Sequence, residues 1–210
     1  SLLFVDLMQA FASMVRKVCI CDPTGDEQWI AAMRAAGLPE DEIRNIFDTI
    51  SRVPDWVTPM EGGSGLCQNY SFCVAASVYR NSWFSTEGLC NVVKTNKGSG
   101  PGTPLADIIF ALSMTRVLAL LRAQLEAEGF SAVIGRGRHR PIPFFDISYH
   151  DDLVIPCVAP ASEIVTRTAA VAAITYETFM YFGFRLNFSR GKTEAIALFA
   201  LLVSFLILFT

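Results

Sequence analysis

The segment FFDISYHDDLVIPCV, residues 144–158, constrains the fold most, because two adjacent aspartates interrupt a run of aromatic and aliphatic residues. Aromatic and β-branched residues favour strands, so we expect two short strands joined at residues 150–152. Asp151 and Asp152 then lie at the tip of a hydrophobic hairpin. Two adjacent carboxylates are not both buried and ionised without a counter-charge, since desolvation and repulsion disfavour the charged forms. The pair therefore indicates either a bound divalent cation or a polar turn that faces water.

A cation site of this kind needs a further carboxylate from a second element. Carboxylate oxygens suit Mg²⁺, which keeps coordination positions open for substrate phosphates. In phosphoryl transfer, two ions about 3.5 to 4 Å apart clamp the attacking and the leaving oxygen. Asp6 is the candidate, because it follows the apolar strand predicted at residues 2–5. The alternative role of Asp6 is a helix N-cap at a strand-to-helix junction.

The rest of the chain predicts a mixture of strands and helices. Residues 2–18 begin as a strand and continue as a helical pattern with Leu7, Phe11 and Val15 on one face. Residues 72–85 have the β-branched and aromatic content of a strand. Apolar spacing, together with acidic, Pro, Ser and Gly signals at the ends, predicts helices at residues 25–37, 38–53, 102–130 and 162–184. The order has no regular βαβ repeat, so we predict the α+β class.

Composition limits the function classes. A chain of 210 residues that is 52% hydrophobic and 18% charged is long enough for one domain with a substantial core. The net charge of -3 does not indicate a nucleic-acid-binding protein, which usually carries a basic surplus. Any such role would depend on local patches, namely RGRHR at residues 136–140 and KTNKG at residues 94–98. Each patch is equally well explained as a solvated loop.

Cysteines and the C-terminal segment bear on location. The cysteines have irregular spacing without a CxxC pair, which indicates reduced thiols in a cytoplasmic or nuclear protein. They are Cys19, Cys21, Cys67, Cys73, Cys90 and Cys157. Residues 195–209 are uncharged but shorter than the roughly 20 residues that span a bilayer. We treat residues 197–210 as an apolar tail: a buried terminal element, a marginal membrane anchor, or sequence from a shifted reading frame.

Four segments resemble a known family. They are FVDLMQAF, GSGPGTPLADIIFAL, YHDDLVI and GFRLNFSRGKTEAI. In order and spacing they resemble the successive palm motifs of reverse transcriptases, particularly those of non-LTR retrotransposons and group II introns. The resemblance extends from Leu2 to about Ile196. It implies that residues 1–196 form a polymerase palm, an antiparallel sheet backed by helices, with the fingers and thumb largely missing.

The resemblance also implies roles for individual residues. Asp6, Asp151 and Asp152 correspond to the aspartates that hold two Mg²⁺ ions, or Mn²⁺ in their place. Lys192 corresponds to the lysine that neutralises the leaving pyrophosphate and acts as a proton donor. The implied partners are an RNA template, a DNA or RNA primer, and deoxynucleoside triphosphates.

Further positions correspond to substrate-binding residues of the family. Phe11 matches the bulky residue under the sugar, although alone it reads as a core aromatic. The turn from Gly102 to Pro104 resembles the helix start that supports the template and the incoming nucleotide. Tyr149 opens the box that contains the two aspartates.

Departures from the family pattern leave two alternatives open. His150 stands where a small residue is usual, and Gly100 stands where arginine is common. The fingers region is expected before Ser1, and the apolar tail stands where the thumb is expected. One alternative is therefore a decayed element copy that binds RNA weakly through residues 136–140. The other is a protein anchored to a membrane through residues 195–210.

Overall fold

Two compact units make up the chain in the computed structural model, which describes residues 1–16, 26–51, 74–80, 82–88, 90–100, 104–134 and 141–198. We call the first the sheet unit; it comprises Ser1–Asp6, Gln124–Ile174 and Asn187–Thr210. We call the second the helical unit; it comprises Leu7–Ala123 and Thr175–Leu186.

Helices and antiparallel strands together confirm the predicted α+β class. The described strands are β1 Leu2–Val5, β2 Trp83–Phe84, β3 Val93–Lys94, β4 Ala132–Ile134, β5 Ile142–Phe144, β6 Ile147–Tyr149, β7 Asp152–Pro156 and β8 Glu194–Ile196. The described helices are α1 Ala10–Ser13, α2 Asp26–Ala35, α3 Glu40–Ser51, α4 at residues 74–79, α5 Pro104–Ala127 and α6 Ile164–Tyr181. Four strands form one sheet in the order β6-β7-β1-β8, and β2 with β3 and β4 with β5 form two smaller sheets.

The central strands of the four-stranded sheet bury one face. Leu3 of β1 lies opposite Ile155 of β7, and Val5 lies opposite Leu153. All four side chains are buried, because alternate residues of a strand point to the same face. These buried pairs fix the register of β1 against β7 up to the end of β1, where Asp6 follows.

The predicted hairpin is confirmed. β6 and β7 pair in antiparallel fashion, and Tyr149 lies opposite Asp152. His150 and Asp151 form the two-residue connection, whereas Asp152, which was also expected in the connection, is the first residue of β7.

Both predicted helices between residues 25 and 53 are confirmed. α2 has Asp26 and Glu27 in its first turn, and Gly37 follows its end with φ of 86°. The amide of Gly37 donates to Arg34 and that of Leu38 to Met33, the Schellman pattern that favours glycine. α3 buries three isoleucines at helical spacing, Ile43, Ile46 and Ile50.

The long helix α5 and the helix α6 also lie where the sequence predicts them. α5 begins at Pro104, as expected of proline in a first turn. α6 ends shortly before Gly183, whose φ is 82°. The amides of Gly183 and Phe184 donate to Met180 and Phe179, so the same C-terminal pattern closes this helix.

The strand predicted at residues 72–85 is wrong over most of its described length. Residues 74–79 form α4, and only Trp83–Phe84 form a short strand, β2. Ala75, Ala76 and Tyr79 are buried, which is the spacing of one helical face. Burial of this face outweighs the weak β-propensity of the valines, because that propensity depends on context.

The helical pattern predicted after Asp6 is also mostly wrong. The described helix there is the single turn α1, which follows Gln9 in a left-handed conformation with φ of 48°. Leu7 and Val15 are buried and Phe11 is half-buried, but these residues do not share one helix. Residues 17 and 18 lie outside the described part.

Cysteines and the tail are described only in part. Cys90 and Cys157 are free thiols, and burial raises the pKa of the Cys157 thiol; the other four cysteines lie outside the described residues. Most of the tail, residues 199–210, lies outside them as well. Over the part of the chain that the structure describes, no helix combines the length and apolarity needed to cross a bilayer.

Candidate functional site

Strand pairing brings the residues predicted as catalytic to one end of the sheet. Val5 and Leu153 are the last paired residues of β1 and β7, so the next residues along that register are Asp6 and Asp152. On the other side of β1, Phe4 lies opposite Glu194. Continuing that register by two residues sets Lys192 opposite Asp6.

The carboxylate of Asp6 is held by two side chains from the segment before β8. The side-chain amide of Asn187 donates from Nδ2 to Oδ2 of Asp6 at 2.9 Å. The Nζ of Lys192 lies 3.3 Å from Oδ1. The side chain of Asp6 is 28% exposed and that of Lys192 is 50% exposed. The alternative role of Asp6 as a helix N-cap is not observed, because α1 begins only after Gln9.

The backbone of Asp6 is tied to the same segment. The amide of Asn187 donates to the carbonyl of Asp6 at 2.8 Å. The amide of Asp6 donates to Oγ1 of Thr193 at 3.2 Å. Both the main chain and the carboxylate of Asp6 are thus positioned by residues more than 180 positions later.

The two aspartates of the hairpin are placed differently. Asp151 lies in the turn and is half-buried, whereas Asp152 opens β7 and is exposed. Neither side chain makes a hydrogen bond or an ion pair with the described residues. No residue in the described ranges therefore occupies their carboxylates.

Metal binding fits the chemistry of this donor set. Three carboxylates provide hard oxygen ligands, which suit Mg²⁺. Among the described residues, however, no group of three or more His, Cys, Asp or Glu side chains is gathered closely enough to hold a metal ion. The carboxylate of Asp6 is engaged with Asn187 and Lys192 instead. A cation would have to draw the carboxylates together.

The backbone conformation at position 150 favours a small set of residue types that includes histidine. Its φ is 54°, and it is the first residue of the two-residue connection. The favoured two-residue hairpin turns have a positive φ at their first residue, and histidine is one of the side chains enriched among non-glycine residues with positive φ. The ring of His150 meets that of Tyr149 edge-on, with centroids 4.7 Å apart. Tyr149 itself is 75% exposed, so one aromatic face is open to a ligand at the hairpin.

Phe11 belongs to the helical unit, where two of the resemblance segments meet. Its ring stacks on Phe110 with centroids 4.3 Å apart, which agrees with a core aromatic. Its carbonyl accepts from the amide of Ser99 at 2.8 Å. A Cβ on Gly98 would lie 2.7 Å from that same carbonyl oxygen, so glycine permits the close approach.

The remaining predicted substrate-binding residues are described only in part. Gly102 lies outside the described residues, and Pro104 is the first residue of α5. The basic patch at residues 136–140 also lies outside them. In the patch at residues 94–98, both lysines are exposed.

Asn187 is a site residue that fits the resemblance segment before Lys192 but was assigned no role from the sequence. Its side chain makes the shorter of the two contacts to the Asp6 carboxylate. The available signal was its place five residues before Lys192 within the segment GFRLNFSRGKTEAI. Local sequence did not reveal the contact, because its partner is 181 residues away.

Comparison with known proteins adds no family assignment. A scan against protein-family models finds no match. A search of curated proteins finds no match either. The functional interpretation of the site therefore depends on its residues, their strand register and their contacts.

Proposed function

We propose that the chain carries the palm of a retroelement RNA-directed DNA polymerase, which transfers deoxynucleotides to the 3′-hydroxyl of a primer on an RNA template. The observation that supports this most is the register that sets Asp6 beside Asp152 at one end of an antiparallel sheet. Asp151 lies in the hairpin turn, directly before Asp152 at the start of β7. Lys192 lies on the other side of β1 from Asp152, next to Asp6. The proposed metal ligands and the lysine therefore come from three sequence segments but belong to the same unit, the sheet unit.

The three aspartates are the proposed ligands of Mg²⁺, with Mn²⁺ as a substitute. Bound Mg²⁺ supplies charge stabilisation to the attacking and leaving oxygens of the transferred phosphate. Asp6 is the prearranged ligand, because its main chain and side chain are both fixed. Asp151 and Asp152 contribute carboxylates that have no side-chain partner within the described part of the chain, and these can move toward a cation.

Lys192 and Tyr149 are the proposed substrate contacts of the sheet unit. The half-exposed ammonium of Lys192 can bind a leaving phosphate and donate a proton to it. The exposed ring of Tyr149 offers a flat surface beside the aspartates, and aromatic faces of this kind stack on bases.

Primer extension tests the proposal. The 210-residue chain is incubated with an RNA template, an annealed DNA primer, deoxynucleoside triphosphates and Mg²⁺, at enzyme excess because we expect low activity. Asp151→Asn should reduce extension about a hundredfold or more, since even indirect partners of metal ligands are worth about 10- to 100-fold. The matched control is Glu128→Gln, an exposed acid of the same unit. Equal extension by the wild type and Asp151→Asn would overturn the proposal for this chain.

A further inference from the structure

Both carboxylate oxygens of Asp6 have a protein partner, and the two partners differ in kind. Oδ2 accepts from the neutral amide of Asn187, and Oδ1 lies near the charged ammonium of Lys192. A divalent cation that binds Asp6 needs the charge of this carboxylate. It therefore competes with the lysine, whereas the amide leaves that charge in place.

The amide of Asn187 is held in one orientation. Its Oδ1 accepts from the backbone amide of Ser189 at 3.2 Å, so its Nδ2 is the atom that faces Asp6. The carbonyl of Asn187 accepts from the amide of Thr193 at 2.9 Å. The amide is therefore a fixed donor, which can hold the carboxylate whether or not a cation is bound.

Lys192 is held less firmly than Asn187. Its Nζ lies 3.3 Å from Oδ1, compared with 2.9 Å for the amide contact. Half of its side chain is exposed, and exposed ion pairs contribute little because solvent screens them. The lysine can leave the carboxylate at low cost.

We propose that Lys192 is an internal counter-ion of Asp6 that a divalent cation displaces, and that Asn187 is a positioning residue that keeps the carboxylate oriented during the exchange. This inference rests on the proposed polymerase function and deepens it. With a cation bound at Asp6, Lys192 would be free to contact a substrate phosphate. In the cation-free protein the lysine compensates the charge of Asp6.

Mn²⁺ binding to the full 210-residue chain, followed by electron paramagnetic resonance, tests the role of Lys192. Lys192→Met should bind Mn²⁺ about 1.5- to 5-fold more tightly, the range expected for loss of an exposed ion pair. Arg190→Met is the matched control, because Arg190 carries the same charge in the same segment and its side chain has no partner among the described residues. An equal gain in both variants, or no gain in Lys192→Met, would overturn the proposal.

A second pair of variants tests Asn187 as a positioning residue. Asn187→Ala should weaken Mn²⁺ binding several-fold in both the wild-type and the Lys192→Met backgrounds. Thr193→Val removes the hydroxyl that accepts from the amide of Asp6 but leaves the carboxylate contacts intact. It should lower stability without a comparable loss of Mn²⁺ affinity. If Thr193→Val weakens Mn²⁺ binding as much as Asn187→Ala, the positioning role is wrong.

These measurements are independent of polymerase activity. Asp6→Asn should abolish the difference between Lys192→Met and Arg190→Met, because that difference arises at Asp6. Absence of primer extension together with the expected Mn²⁺ pattern would reject the polymerase function and support the counter-ion. Primer extension without the Mn²⁺ pattern would reject the counter-ion alone.

Discussion

Gly183 lies so close to Val15 that a Cβ on the glycine would be 2.5 Å from Cγ2 of the valine. Its φ of 82° is also unfavourable for other residues. We predict that Gly183→Ala lowers the free energy of unfolding by about 2 to 4 kcal/mol, because about 1 kcal/mol of backbone strain adds to about 1 to 3 kcal/mol of overpacking. Urea denaturation measures this difference.

Gly37→Ala provides the control for Gly183→Ala. Gly37 has nearly the same φ, 86°, and also follows a helix end, but a Cβ there would meet nothing within 4 Å. Its substitution should cost only the backbone strain, about 1 kcal/mol. Equal losses in the two variants would show that contact with Val15 is unimportant.

Arg16 should be a major contributor to stability. It is only 3% exposed, and its guanidinium donates to the carbonyls of Tyr79, Thr95 and Gly98 at 2.6, 3.0 and 3.1 Å. Arg16→Met would leave these buried acceptors without their charged donor, so we predict a loss of about 3 kcal/mol or more in urea denaturation. The exposed Arg80 supplies the comparison, and Arg80→Met should change stability by less than about 0.5 kcal/mol. If Arg16→Met and Arg80→Met both change the free energy of unfolding by a similarly small amount, the prediction is contradicted.

Tyr181 should make stability depend on pH under alkaline conditions. Burial, followed by its hydrogen bond to Glu42, raises the pKa of Tyr181 from 10.0 to about 12, and its hydroxyl donates to Oε1 of Glu42 at 3.0 Å. The folded state therefore retains a proton that the unfolded state loses between these values. Stability should be fully present below pH 10 and decline as the pH rises toward about 12.

Denaturation across this pH range checks the assignment. Tyr181→Phe cannot titrate, so its stability should decline less steeply than that of the wild type. Tyr176→Phe is a control on the same helix. An unchanged slope in Tyr181→Phe would show that another group causes the alkaline loss.

The positive φ of His150 leads to a prediction about the hairpin. A β-branched residue at a φ of 54° is strained. We predict that His150→Val lowers the free energy of unfolding by about 1 to 3 kcal/mol. His150→Asn should have an effect near zero, because asparagine tolerates this conformation. Urea denaturation measures the free energy of unfolding of both variants. If His150→Val is as stable as the wild type, the turn adopts another conformation.

Local signals in the sequence predicted helices and strands correctly where the apolar pattern coincides with the residues that are buried in the fold. Helices α2, α3, α5 and α6 followed from apolar spacing and from their end residues, and the hairpin followed from its aromatic and aliphatic flanks. The prediction for residues 72–85 was wrong, because β-branched content says little about which side chains become buried. Ala75, Ala76 and Tyr79 supply a buried helical face that only packing reveals.

The sequence by itself determined the donor chemistry of the candidate site: three aspartates next to predicted strands, and a lysine in the segment GFRLNFSRGKTEAI. It did not determine which of them meet. Strand pairing brought Asn187 and Lys192 to Asp6 from 181 and 186 residues away, and pairing over such separations depends on the whole sheet rather than on local preference. Only the tertiary structure decided that Lys192 pairs with Asp6, while the hairpin aspartates have no side-chain partner among the described residues, because register is a property of the assembled strands.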